Sequence, residues 1–170
     1  SLLKPFVYML ALARPSEWSL SSWLNDDPIT VNTDDGKQWE PKNSDRRSHG
    51  TVSLSSALAN SYNQATVRLG MKIGPQRLSD LVYSLTGEKV KARPSLLLGS
   101  VDLSVYTMTQ MYQFLASGGR VQPLHAVRAV LDPQGRALNK YEIEAKKAQK
   151  GDAVAARLVS VGLQQTVTPG

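Results

Sequence analysis

Ser1-Leu2-Leu3-Lys4-Pro5-Phe6-Val7-Tyr8-Met9-Leu10-Ala11-Leu12-Ala13 is the stretch on which the reading of the fold turns. Apolar residues fill most positions from Leu2 to Ala13, and Pro5 stands in the first turn, where its missing N–H breaks no helical bond. The pattern predicts a largely buried helix over 2–13 with Ser1 at its N-terminus. Residues i and i+3 share a helix face, so an ammonium at Lys4 can reach a hydroxyl at Ser1. A serine is a poor nucleophile until a base takes its proton, and a lysine is a base only when burial or a neighbouring cation lowers its pKa. S-x-x-K on a buried helix thus makes Ser1 a candidate nucleophile and Lys4 its base. Taken alone, the same four residues also describe a helix-capping serine beside a surface lysine.

Outward from that helix, Asp26-Asp27-Pro28, Ile29 to Asn32 and Asp34-Asp35-Gly36 read as turn, short strand and turn, and 38–50 reads as a polar loop. Ser53 is a candidate N-cap for a short helix through Ala59, and a second helix is expected from Asn63 to Leu69, stopped at Gly70. A further helix is expected from Pro75 to Leu85, ended by Gly87. Ser104 caps the next, with Val105, Met108, Tyr112 and Leu115 as its packed face and Gly118-Gly119 as its close. Residues 121–131 and 136–138 form a β-hairpin around Asp132-Pro133-Gln134-Gly135, and a last amphipathic helix covers 152–165. Mostly helical order with short strands late implies an α+β fold in one domain over 1–170. The abrupt start at Ser1 and the end at Gly170 are expected to be cuts in a longer protein.

Composition removes several function classes. The chain has no cysteine, which excludes a disulfide scaffold and a thiol nucleophile, and its two histidines, His49 and His125, make a metal site an unpromising expectation. The net charge of +6 comes from 20 Lys and Arg against 14 Asp and Glu, and basic residues such as Arg46-Arg47, Lys89, Lys91 and Lys146-Lys147 are scattered without interleaved aromatics, so a nucleic-acid platform is not expected. No run of about 18 apolar residues is present. His125 reads as a satisfied histidine in a strand.

Ser61-Tyr62-Asn63 adds a second constellation: a hydroxyl and an amide two residues apart can face one cleft, one relaying a proton and the other gripping a peptide. S-x-x-K and S-x-N belong to a set completed by K-T-G in β-lactamases and penicillin-binding proteins. Ser1 to Phe6, Trp39-Glu40-Pro41-Lys42-Asn43, Ala57 to Asn63, Leu97-Leu98-Gly99 and Ala116 to Gly119 occur in that order. Together they resemble the transpeptidase domain of class A, bifunctional penicillin-binding proteins of the Gram-negative type. Tyr62 in place of aspartate departs from class A β-lactamases. No K-T-G occurs, Lys72-Ile73-Gly74 being the nearest string.

The resemblance implies the mostly helical part of a serine β-lactamase-like transpeptidase fold, with a hairpin from its central antiparallel sheet and without the strands that carry K-T-G. It implies that Ser1 attacks a peptidoglycan stem peptide ending in D-Ala-D-Ala, or a β-lactam, that Lys4 takes the serine proton, and that Ser61 relays a proton. Asn63 would hydrogen-bond the substrate's peptide or Lys4, Tyr62 would border the substrate cleft or pack, and Trp39 and Asn43 would line the substrate at the cleft mouth or stabilise their own loop, with no cofactor. It places the parent at the periplasmic face of the inner membrane, anchored outside this chain, with lipoprotein activators and division or elongation proteins as partners. Without K-T-G these residues alone are expected to be weak or inactive. A sensor or scaffold domain that acylates without turnover shares every residue named, and an N-terminal nucleophile at Ser1 is a further alternative that leaves Lys4 unexplained.

Overall fold

Helix α1 (Lys4–Leu12) lies at the centre of the fold, and its composition explains why. Phe6, Val7, Tyr8, Met9, Ala11 and Leu12 are all buried, so nearly every side of the helix needs a covering element. The cover comes from α2 (Leu54–Ala59), α3 (Asn63–Ile73), α4 (Pro75–Thr86) and a 3-10 turn at Pro94–Leu98. Full burial of one large apolar side chain contributes about 1.5–3 kcal/mol, and α1 supplies several of them. The computed structural model describes residues 2–99, 101–118, 130–131, 137–139, 155, 157–160 and 162–163. Ser1, Gly119 and His125 lie outside the described residues.

The helices appear where the sequence places them, with two corrections. Gly70 does not stop α3; the helix continues to Ile73 and ends at Gly74, whose φ is 102°. Gly70 is instead a site of close approach. A Cβ there would lie 2.6 Å from Leu97 Cδ2 and 3.1 Å from its Cγ, so any larger residue would force the buried Leu97 side chain of the Pro94–Leu98 turn to shift. The second correction concerns α5 (Val105–Ala116), whose buried face is Thr107, Gln110, Met111, Phe114 and Leu115, while Val105 is 84 % exposed. Met108 and Tyr112 flank that face. The 107–111–114 stripe won because it puts Met111 and Phe114 into the core, a shift of about one residue that periodicity resolves poorly.

Both expected serine caps form. Ser53 Oγ accepts from the Ser56 amide at 3.1 Å and Ser104 Oγ from the Thr107 amide at 3.1 Å, each satisfying a free first-turn donor. Gly87, with φ 76°, closes α4 as expected.

The strands are short antiparallel pairs. β1 (Trp23–Asn25) pairs with β4 (Thr51–Ser53) in the register Trp23 to Ser53 and Asn25 to Thr51, and neither was expected. β2 (Val31–Asn32) pairs with β3 (Gln38–Trp39), so the stretch read as loop from 38 begins as a strand. β5 (Val130–Leu131) pairs with β6 (Ala137–Asn139), the described part of the expected hairpin. Residues 155, 157–160 and 162–163 are helical, within the expected last helix, and Ala155 and Val159 are buried. The architecture is α+β.

Candidate active site

Lys4 stands in the first turn of α1 and is 5 % exposed. Its Nζ donates to Asn63 Oδ1 at 2.6 Å and to the Ser61 carbonyl at 3.2 Å. Among the described residues no carboxylate pairs with it. Burial without a counter-ion therefore pulls its pKa below the ordinary lysine value.

The acceptors are presented by a strained turn between α2 and α3. Ser61 has φ 57°, in the left-handed region that costs a side-chain-bearing residue about 1–2 kcal/mol. The turn is held by the Ser61 amide donating to Leu58 O at 3.2 Å and the Tyr62 amide to Ala57 O at 3.0 Å. Asn63 Nδ2 donates to Lys42 O at 2.8 Å, which leaves Oδ1 facing the lysine. One helical turn beyond Lys4, the Tyr8 hydroxyl and Thr66 Oγ1 are 2.6 Å apart, and Thr66 Oγ1 donates to Tyr62 O at 2.7 Å. Thr66 thus spends its proton on the carbonyl and accepts from Tyr8. Burial drives the Tyr8 phenol far above its usual range.

Lys4, Pro5, Tyr8, Ser61 and Tyr112 border a cavity of about 140 Å³. Tyr112 donates from its hydroxyl to Leu2 O and meets the Phe6 ring edge-on, with centroids 5.4 Å apart. These contacts tie α5 to the turn that carries the S-x-x-K residues.

A second cluster supports the same turn from the other side. Asp26 is fully buried. Its Oδ1 accepts from the Ala65 amide at 2.9 Å, and Asn43 Oδ1 accepts from the Gln64 amide at 3.1 Å, so two distant side chains cap the first turn of α3. Asp26 Oδ2 accepts from Asn43 Nδ2 at 2.7 Å and from His49, at its ring Nδ1 at 2.6 Å and its backbone amide at 3.2 Å. His49 Nε2 lies 2.9 Å from Asp45 Oδ2, and the His49 ring stacks on Tyr62 with centroids 3.9 Å apart and an angle of 12°. The bond to Asp26, with Asp45 adding to it, raises the His49 pKa.

The structure therefore brings together Lys4, Ser61 and Asn63, with Tyr62 behind them. It separates two residues expected to line the substrate. Asn43 is 4 % exposed, and its amide is engaged with Asp26, Arg47 O at 2.8 Å and the α3 terminus, so it organises the loop and presents nothing to a cleft. Trp39 lies in β3 and borders a different cavity, of about 800 Å³, with Gln76, Ser79, Lys91 and Arg93. That cavity shares no lining residue with the one at Lys4. Asp26 and His49 escaped the sequence reading, since a carboxylate 39 residues from the amide it caps leaves no local pattern. No group of three or more His, Cys, Asp or Glu side chains that could hold a metal occurs among the described residues.

A family model described as the penicillin binding protein transpeptidase domain matches residues 1–170. The chain belongs to the penicillin-binding protein transpeptidase family. Penicillin-binding protein 1B of Vibrio cholerae is 41 % identical over 172 residues, which cover 100 % of this chain and 22 % of that protein. Penicillin-binding protein 1B of Escherichia coli is 35 % identical over 174 residues, covering 100 % of this chain and 20 % of the relative. The transpeptidase chain thus spans 20–22 % of the length of these two relatives. Penicillin-binding protein 1A from Haemophilus influenzae shares the fold, with a TM-score of 0.77 and 24 % identity over 98 % of this chain and 29 % of that one. The imipenem acyl-enzyme complex of penicillin-binding protein A from M. tuberculosis superposes with a TM-score of 0.64 and 21 % identity, covering 98 % of this chain and 45 % of that one. The expected resemblance to class A penicillin-binding proteins and the α+β transpeptidase fold both hold. No helix among the described residues is long and apolar enough to cross a membrane.

Proposed function

We propose that the protein carrying this chain is a serine D,D-transpeptidase that cross-links peptidoglycan stem peptides, with Ser1 as nucleophile and Lys4 as its general base. The observation that carries the reading is the environment of Lys4 Nζ. A neutral amine has two N–H bonds and one lone pair, and Asn63 Oδ1 and the Ser61 carbonyl take two donors. The lone pair is left for a proton, and burial with no carboxylate paired to it among the described residues favours that neutral form.

In this reading Lys4 takes the Ser1 proton as Oγ attacks the carbonyl of the penultimate D-alanine. The bond to the terminal D-alanine breaks, its nitrogen gains a proton relayed by Ser61, and D-alanine departs. The amine of a second stem peptide then attacks the ester, loses a proton along the reverse route and frees Ser1. A β-lactam enters by the same first step and leaves a penicilloyl ester. Asn63 has its amide nitrogen on Lys42 O and its oxygen on Lys4, so its role is to hold the base in place and to border the substrate. The reading places the reaction at the periplasmic face of the inner membrane, where lipoprotein activators and division or elongation proteins would meet the parent protein.

Intact-mass measurement of the full-length parent after incubation with penicillin tests this. One penicilloyl adduct is expected on the wild type and none on Ser1→Ala. An undiminished adduct on Ser1→Ala would overturn the assignment.

A further inference from the structure

We propose that Asp26 and His49 are positioning residues for the reaction: a protonated His49, bridging Asp26 and Asp45 and stacked on Tyr62, holds the Ser61–Asn63 turn against Lys4. The inference rests on the acyl-transfer reading above and extends it to residues outside the Lys4, Ser61 and Asn63 cluster.

The geometry determines the protonation state of the ring. Nδ1 lies 2.6 Å from Asp26 Oδ2 and Nε2 lies 2.9 Å from Asp45 Oδ2. Asp26 accepts from the amides of Ala65 and His49 and from Asn43 Nδ2, all of them N–H donors, so its remaining contact with the ring also needs a donor. Asp45 accepts at Oδ1 from the Arg47 amide at 2.9 Å. Only an imidazolium carries an N–H on both nitrogens. A neutral ring would aim a lone pair at one carboxylate at hydrogen-bond distance, and like charge density that close is repulsive. The titratable and charged groups around the ring are Asp26 beyond β1, Asp45 and Arg47 of its own loop, and Tyr62 at the head of α3. The carboxylates favour the cation, while partial burial opposes it more weakly.

The ring's position then acts on the site through two routes. Its face lies on Tyr62, the central residue of the turn that supplies both acceptors of Lys4. Its Nδ1 orients the same Asp26 carboxylate whose other oxygen caps α3 at Ala65. Loss of the ring proton removes one of the two bonds that hold the imidazole, and the turn it supports loosens. Displacements of about 1 Å at a reacting group are enough to cost up to about 10²-fold in rate.

The test is the pH profile of penicillin acylation in the full-length parent, compared with Asp45→Asn and His49→Gln. Lys4 and His49 act with opposite sign: acylation rises with pH as Lys4 loses its proton and falls as His49 loses its own. Asp45→Asn, a change at an exposed carboxylate, is expected to lower the pH at which His49 loses its proton, and with it the rate above that pH. His49→Gln is expected to remove the fall in rate that His49 deprotonation causes and to lower the maximal rate by about 10-fold. A purely structural role would change the melting temperature and leave the shape of the profile alone. Profiles of both variants that superimpose on the wild type would overturn the positioning role while leaving the nucleophile assignment intact. Absence of any adduct on the wild type would instead remove the acyl-transfer reading and this inference with it.

Discussion

The Ser61–Asn63 turn is gripped from two sides by clusters of opposite electrostatic design. On the α1 side a single amine, Lys4, is buried against a carbonyl and an amide oxygen with no carboxylate paired to it among the described residues. On the β1 side an imidazole is held between two carboxylates. Desolvation dominates the first and favours a neutral base; hydrogen bonding to carboxylates dominates the second and favours a cation. The contrast teaches that a lysine's pKa falls through what is left out of its surroundings, while the support for its partners can carry the charge that its own pocket disfavours.

The largest expected effect breaks the first cluster. Lys4→Ala removes the base and is expected to lower penicillin acylation by about 10²–10⁴-fold, measured as adduct formation over time. Wild-type acylation should rise with pH through a Lys4 value below 10.5, and a rate that begins to rise only near 10.5 would contradict a lowered pKa.

The next effect breaks the second cluster at its buried end. Asp26→Ala strands the His49 ring and three N–H donors and is expected to destabilise the fold by about 3–5 kcal/mol in urea melts. A loss below about 1 kcal/mol would mean that water replaces the carboxylate. Asn43→Ala is expected to cost about 1–3 kcal/mol, because it uncovers the Gln64 amide and one face of Asp26. Measured beside acylation, it should affect stability more than substrate affinity, since Asn43 faces the interior.

The smallest effect sharpens the contrast through linkage. The His49 pKa is raised in the folded state above its ordinary 6.5, so its stabilising contribution is complete below about 6.5 and is lost as pH rises through the folded-state value. Asp45→Asn should narrow that window at its upper end, followed as melting temperature against pH. Lys4 has the opposite sign. Its folded-state pKa is lowered, so its burial is least favourable at low pH and stability rises with pH between that value and 10.5.

What was readable without the fold follows from how local each interaction is. The α1 helix, the Ser53 and Ser104 caps and the Gly87 close depend on residues within a few positions, and the sequence states them. The two- and three-residue strands were only partly legible, because pairs such as Trp23 with Ser53 are made across the chain and are too short to show a period. Gly70 looked like a stop signal because glycine usually breaks helices, whereas here the missing Cβ makes room for the Leu97 side chain.

The candidate site divides the same way. Ser1 and Lys4 are joined by helix spacing and Ser61 and Asn63 by a triplet, so local sequence and family resemblance together named them. That Lys4 meets Asn63, 59 residues away, was decided by packing α1 against the head of α3. Asn43 and Trp39 show the limit: the sequence left a cleft-lining and a loop-stabilising role open for both, and tertiary structure turned Asn43 inward and set Trp39 beside a separate cavity. Asp26 and His49 had no local signature at all. Sequence alone determined most of the helices and their caps and, with the family resemblance, the candidates for the reacting groups, because those depend on spacing and side-chain chemistry. Only the tertiary structure decided the electrostatics around them, because desolvation and charge pairing belong to neighbours that the chain brings together from afar.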